Sequence, residues 1–527
     1  MPSPHRWTRT AVAAASAAVL LIGLSACAED AGGGGAALTE DGRGEELVVQ
    51  YFGTMVTMDP ALAGQGPSAG LVALSYDPLI YQTPDGEYIP DLATEFGFVD
   101  DQNQVFEMTL REDVNFMGGS ELDADAVVAS MNYYIESGAS MENVGEIASV
   151  EAIDDMSVRV TYAHPFPDAP YLMTQYVKFG SVIGPDGLAD VDSLPTSVDG
   201  AGQYILDEES SITNSKYVFE RNPDYWNPEA QQYEKITVQV IADVNAALNA
   251  ISTDQVDYTL GDASTIESAT AAGITVEQVP FFNWTLHIAD RDGSHNAALQ
   301  DVRVRQAIAY AINRDGIVNA VGPEVSQVSG QVLTEGGTGY VEGAGYEYDI
   351  DKAEQLLAEA GYADGFSMSI IASDAIDSNA LRAQAIADSL EQVGIDVDLK
   401  VVSAGIPAFL EEAEKKEADA TIWPINGTTM GRVYPGLNVI LRNPSGIKDP
   451  ELEALNEASL TASEEERLEI YEEMTELIAE LAWNIPVLST NDIHYIGEDV
   501  TNVEITGARP IPLIVGPAPE YAWQPVK

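Results

Sequence analysis

The chain has 527 residues and one cysteine, Cys27. No disulfide can staple the fold, so its stability must come from buried core area. Cys27 closes the tetrapeptide Leu24-Ser25-Ala26-Cys27 after an apolar run from Ala11 to Ala26. A secretory signal needs a cationic start, a short apolar segment and small residues at the cut. Arg6, Arg9, the Ala/Val/Leu run and Ser25-Ala26 supply these in order. The run is too short and too rich in alanine for a membrane-spanning helix, which needs about 20 apolar residues.

Residues 1–26 are therefore read as an export signal, cut just before Cys27. That placement is similar to the lipobox of bacterial lipoproteins, in which the thiol receives a diacylglycerol. Two acyl chains suffice for stable anchoring at about 0.8 kcal/mol per buried methylene, where one chain is marginal. Residues 27–44, rich in glycine and small polar residues, read as a flexible tether.

The remainder is long enough for about three domains. With 45% apolar residues, 23 Tyr and 6 Trp, it can bury a sizeable core. A formal charge of −61 excludes nucleic acid as a natural partner. The acids are spread along the chain rather than gathered in a tail, as on a solvated acidic surface. Salt screens such self-repulsion, which suggests adaptation to high ionic strength.

Strand and helix signals alternate after the tether, which argues for α/β architecture. Leu47 to Phe52 reads as a first strand, and Phe106, Met108 and Leu110 alternate with polar neighbours on period two. Asp123 is an N-cap candidate before the stripe Val127, Ser130, Met131, Tyr134, and Asp301 is another before Val304, Ala307, Ile308 and Ala311. The helices of Leu356 and Ile386 stop near Gly361 and Gly394. Ser463 and Glu466 form a capping box opening a long helix with Leu468, Tyr471, Met474 and Ile478 on one stripe.

Catalytic chemistry leaves no comparable trace. With 85 acidic residues, close carboxylate pairs arise by chance and do not indicate a glycosidase. His164, His287, His295 and His494 are scattered, so no metal site is assigned. No GxSxG elbow or GxxxxGK[ST] loop is present. No catalytic residue and no cofactor is therefore assigned, and binding is favoured over reaction.

The stretch from Ala297 to Arg314, AALQDVRVRQAIAYAINR, resembles a hallmark of the extracellular solute-binding proteins of ABC importers, family 5, the oligopeptide, dipeptide and nickel cluster. Further matches follow the family's order: Tyr76-Asp77-Pro78-Leu79, Pro90-Asp91-Leu92-Ala93, residues 110–116 and 123–130, Gly202-Gln203-Tyr204, residues 221–226, 352–362 and 393–397. These residues are read mainly as structural: Arg303 and Arg305 lie off the apolar stripe of their helix, and Tyr225 and Trp226 look like a packed turn.

The resemblance implies an α/β, two-lobed periplasmic-binding-protein-like fold of the class II, cluster C type, with an additional domain inserted in the N-terminal lobe. The N-terminal lobe is drawn at 45–85 with 198–281 and 496–527, the inserted domain at 86–197, and the C-terminal lobe at 282–495. A hinge crossing is expected near 279–284. The implied role is a lipid-anchored receptor on the outer face of the cytoplasmic membrane. It would act as a monomer, deliver a small solute to a permease and its ATPase, and perform no chemistry. A sensor acting through a membrane signalling partner and an exported hydrolase are the alternatives.

A cleft of this kind needs aromatic walls and a few orienting polar groups. The candidates are Tyr51 and Phe52 after the first strand, Phe282 and Trp284 at the crossing, and Trp423 opening the loop after residues 418–422. Trp423 matches a tryptophan that in family members precedes the ligand-contacting loop. Peptide binders place an aspartate in that loop to pair the ligand's ammonium; here no acid follows Trp423 until Asp449. Asn426, Thr428, Thr429 and Tyr434 offer neutral hydrogen-bonding groups, and Arg432 a bidentate cation. The loop thus favours an oligosaccharide, a modified peptide or an anionic compound over a simple dipeptide.

Overall fold

The computed structural model describes residues 37–51, 57–63, 67–137, 145–374, 376–377, 380–403, 405–505 and 513–527. Cys27, most of the tether and Phe52 lie outside the described residues, as does the side chain of Tyr51. Among the described residues no helix is long and apolar enough to cross a membrane.

Two long antiparallel strands, Thr275–Ile288 and Asn484–Ile496, organise the chain from the middle of an eleven-stranded sheet. They pair from Thr275 opposite Ile496 to His287 opposite Asn484. On one side Asn484–Ile496 pairs with Tyr258–Leu260, followed outward by Gly44–Tyr51, Tyr233–Val240, Lys216–Arg221 and Tyr204–Leu206. On the other side Thr275–Ile288 pairs with Ala420–Ile425, followed by Phe366–Ser373 and Ile395–Val402. The ribbon's register shifts between Pro280 and Phe282 and again between Trp284 and Thr285. Such irregularities bend a strand and increase its twist, and they sit where one half of the sheet gives way to the other.

Each half has its own core. Leu47, Val49, Ile236, Val238 and Tyr258 pack with Val500, Ile514 and Trp523 from the chain's end. Leu286, Ile288, Val304, Ile308, Ile370, Ile386 and Ile422 form the other. Parallel pairs occur within each half, Leu47 opposite Ile236 and Met368 opposite Val397; the second is joined by the helix Leu381–Glu391, the crossover that parallel pairing demands, and the first by the long stretch that carries the four-stranded module.

Local chemistry places the helix ends. Asp123 accepts from Ala126 N at 2.8 Å and Asp301 from Arg303 N at 2.9 Å. Both halves of the Ser463/Glu466 capping box are formed. Gly361 and Gly394 have φ of 91° and 80°, a region that favours glycine. Off the stripe as read, Arg303 pairs with Asp301, while the buried Arg305 donates to the carbonyls of Leu299, Gln300 and Leu481.

A separate antiparallel sheet, Ala93–Phe98, Val105–Leu110, Ser157–Tyr162 and Ile147–Asp154, packs under the helix Ala124–Ser137. Phe106, Met108 and Leu110 face inward against Val127, Met131 and Tyr134, and the same core takes in Leu79, Ile80 and Ala201.

Several of the family-like segments meet where this module joins the large sheet. Tyr225 Oη donates to Asp77 Oδ2 at 2.7 Å and Trp226 Nε1 donates to the same oxygen at 3.2 Å. Arg111 lies over the Trp226 ring at 3.9 Å and donates to the Asp91 carbonyl at 3.1 Å. Gly202 backs onto Ser75, whose carbonyl carbon would lie 2.4 Å from an added Cβ. These segments specify a junction of the fold, in agreement with the structural reading of Tyr225 and Trp226.

Candidate functional site

A cavity of about 880 Å³ opens between the four-stranded module and the sheet half that carries Ala420–Ile425. Its volume lies within the roughly 300–1,000 Å³ usual for small-molecule sites.

One wall comes from the turn 83–87 and from Pro167-Asp168-Ala169-Pro170-Tyr171. Thr83 and Glu87 close the turn, with Gly86 at φ 89°. Gln175 binds both backbone groups of Gln82, at 3.0 and 2.9 Å, and so locks the two segments together. Pro170 starts the short helix Ala169–Leu172 behind Asp168, as its fixed φ allows. Tyr171 and Tyr176 lie nearly parallel, 6.3 Å apart.

The opposite wall comes from residues 334–338, from Thr428, Thr429 and Arg432, and from Glu464, Arg467, Leu468 and Tyr471. Thr338 N donates to Thr428 O at 2.7 Å and Met430 N to Thr338 O at 3.0 Å, which ties the two loops together. Gly431 admits Tyr471, since an added Cβ would lie 2.3 Å from its hydroxyl. Contacts join the walls: Asn103 Nδ2 donates to Leu460 O at 2.8 Å, and the Arg432 guanidinium lies 4.0 Å from the Tyr171 ring centroid.

The charges are opposed. Arg432 and Arg467 face the cavity from one wall and Asp168 from the other. Burial raises the Asp168 carboxyl above its usual range, and the two arginines pull it back down. Burial also raises the Tyr88 hydroxyl, with the charge of Asp168 adding to the effect.

Of the pocket candidates singled out in the sequence, Arg432, Thr428 and Thr429 come together on this cavity; the other candidates among the described residues sit elsewhere, and Tyr51's side chain and Phe52 lie outside the described residues. Trp423 does not open a loop, because its strand continues to Ile425; its ring stacks on Phe409 at 4.9 Å in a small core. Tyr434 is buried on the far side of its helix, among Val332, Met474 and Ile478, and donates to Glu453. Trp284 is 4% exposed, donates to Thr490 Oγ1 at 3.2 Å and carries Arg382 over its ring. Phe282 is half-buried against Phe281 and the same core. Asn426 is exposed and lies off the cavity wall. Leu468, expected on the buried stripe of its helix, is 43% exposed and lines the cavity.

Sequence reasoning missed Asp168, Tyr171, Arg467 and Tyr471. Only the Pro-Asp-Ala-Pro run around Asp168 carried a local signal, that of a helix start, and it said nothing of a ligand. Among the described residues no group of three His, Cys, Asp or Glu could hold a metal ion.

A ligand-sized cavity between two walls, in an α/β chain crossed by a bent two-stranded ribbon, is the architecture of a solute-binding protein. Residues 87–444 match the family model of bacterial extracellular solute-binding proteins, family 5, and the chain belongs to that family, whose members bind solutes rather than catalyse reactions. A nickel-binding periplasmic protein of Escherichia coli K12 is 26% identical over 62% of this chain and 66% of its own length, just under two thirds. HbpA2 of Haemophilus parasuis superposes with a TM-score of 0.78 at 20% identity, over 88% of this chain and 98% of that one. DppA of Helicobacter pylori, solved with the peptide STSA, gives 0.70 at 22% identity, over 92% and 99%. The two-lobed fold is therefore that of periplasmic binding proteins.

Proposed function

We propose that this chain is the receptor of an ABC importer, anchored through a diacylglycerol on Cys27 to the outer face of the cytoplasmic membrane. It captures a peptide-like or oligosaccharide-like solute and delivers it to a permease driven by a cytoplasmic ATPase. The observation that carries this reading is the cavity of about 880 Å³, walled by two parts of the chain that a bent ribbon can move together. A ligand touching both walls stabilises the closed arrangement by its differential contacts with the two states. We take the lobes as 45–85 with 198–281 and 496–527, and 282–495, with 86–197 inserted, and the protein as a monomer.

The test is mass spectrometry of solutes that copurify with the protein, followed by deletion of the gene and an uptake assay for the solute found. Loss of uptake on deletion supports an importer; unchanged uptake with a lost transcriptional response would point to a sensor. Acyl labelling that survives Cys27→Ser would refute the anchor.

A further inference from the structure

A smaller cavity of about 250 Å³ is lined by Ala37, Glu45, Glu46, Tyr233, Asp257 and Asp499, and shares no lining residue with the one described above. The fold gathers these residues from separate stretches. Glu45 and Glu46 open the strand Gly44–Tyr51, which pairs with Tyr233–Val240. Asp257 is locked onto that strand: its backbone N donates to Val48 O and its Oδ2 accepts from Val48 N, both at 2.7 Å. Asp499 follows the end of Asn484–Ile496, and its carbonyl accepts from Val526 N at 2.9 Å. Tyr233 passes over Gly44, where an added Cβ would lie 2.4 Å from the ring.

The charge around this cavity is one-sided. Lys235 pairs with Glu46 at 2.9 Å, and Thr237 Oγ1 donates to the other oxygen of that carboxylate at 2.6 Å. Among the described residues no lysine or arginine lines the cavity, and residues 27–42 of the tether contain none. Burial and the charges of Asp499, Glu46 and Asp254 raise the Asp257 carboxyl to about 6. Two polar atoms here are buried with no hydrogen-bond partner among the described residues: Asp499 Oδ1 and the hydroxyl of Tyr233, a residue only 2% exposed. Buried oxygens are costly to leave unpaired. A water between them would satisfy both but leave the charge; a cation does both.

We propose that Asp257, Asp499 and Tyr233 Oη hold a partly hydrated monovalent metal ion, sodium or potassium, which fastens the first strand to the chain's end. Two carboxylates and one neutral oxygen suit a hard cation of single charge. Calcium takes about 6–8 oxygen ligands, and among the described residues no group of three acids is placed to hold a metal ion. The cavity has room for the ion and several waters, each occupying about 30 Å³. This site stands apart from the solute cavity and does not depend on the receptor reading.

Melting curves of the full exported chain test this at a constant total salt of about 1 M, where screening is fixed, with sodium or potassium chloride replacing choline chloride stepwise. The melting midpoint is expected to rise by several degrees along a saturating curve, as linkage requires of a ligand of the native state. Asp499→Asn and Tyr233→Phe should abolish that rise while keeping the general response to total salt. A crystal grown in rubidium chloride should show an anomalous peak between the three side chains. A flat curve, a rise that survives both substitutions, or a rise given by millimolar calcium or magnesium and not by the alkali ions overturns the assignment. Should either variant fail to fold, the absence of the rubidium peak in the parent overturns it. None of these outcomes touches the receptor reading.

Discussion

The Arg432 guanidinium lies 4.0 Å from the centroid of the Tyr171 ring, and this contact joins the two walls of the cavity. A cation–π pair of this kind contributes about 0.5–1 kcal/mol at a partly exposed site. Tyr171→Leu is therefore expected to shift the ligand-free protein toward the open arrangement by roughly two- to fivefold. Small-angle scattering without ligand would record a larger radius of gyration, and an unchanged radius would count against the latch.

Asp77 and Asp91 are buried together, with Arg111 the cation that lowers both. Burial raises both carboxyls, and the charge of Asp77 raises Asp91 further. The native state holds protons that the unfolded chain releases above the ordinary carboxyl value of 3.8. Stability from this source is thus full below that pH and is lost as pH rises through the raised folded values. Asp91→Asn should flatten the decline, so that denaturant unfolding at pH 8 finds the variant more stable than the parent.

Lys178 is 1% exposed and donates to the Gln175 carbonyl at 2.5 Å. Burial lowers its ammonium to about 7 from the ordinary lysine value of 10.5. Between these values the unfolded chain binds the extra proton, so stability rises with pH across that window, by at most about 1.4 kcal/mol per unit. It falls again as pH drops toward 7. Lys178→Met should abolish this slope and raise the melting temperature near neutral pH.

Trp423→Ala removes a ring stacked on Phe409 inside a core. Large-to-small changes of this kind cost about 3–5 kcal/mol. Chemical denaturation should show that loss while affinity for the copurifying solute stays within about twofold. A wall residue would behave the other way, with affinity falling first.

The charge of −61 predicts a marked salt response. Raising salt from 0.1 M to 1 M shortens the Debye length from about 10 Å to about 3 Å. The melting temperature should climb by several degrees over that range, and a flat response would remove the case for salt adaptation.

Short-range order was legible because it depends on neighbours in the chain. Asp123, Asp301 and Ser463 cap their helices as read, and Phe106, Met108 and Leu110 face one core on period two, since capping and pleat are set within a few residues. The family segments around Asp77, Asp91, Arg111 and Trp226 could be recognised in order, although their meeting in one buried cluster could not be foreseen. The pocket was a different matter. Trp423 and Tyr434 are large aromatics beside a suggestive loop, but strand alternation and helix phase turned both into cores. Asp168 and Arg432 line one cavity because the fold of the module and of the large sheet brings distant segments together. Type of element, cap and cationic residue followed from composition and spacing. Which charges face one another is a property of packing, and distance along the chain carries no information about it.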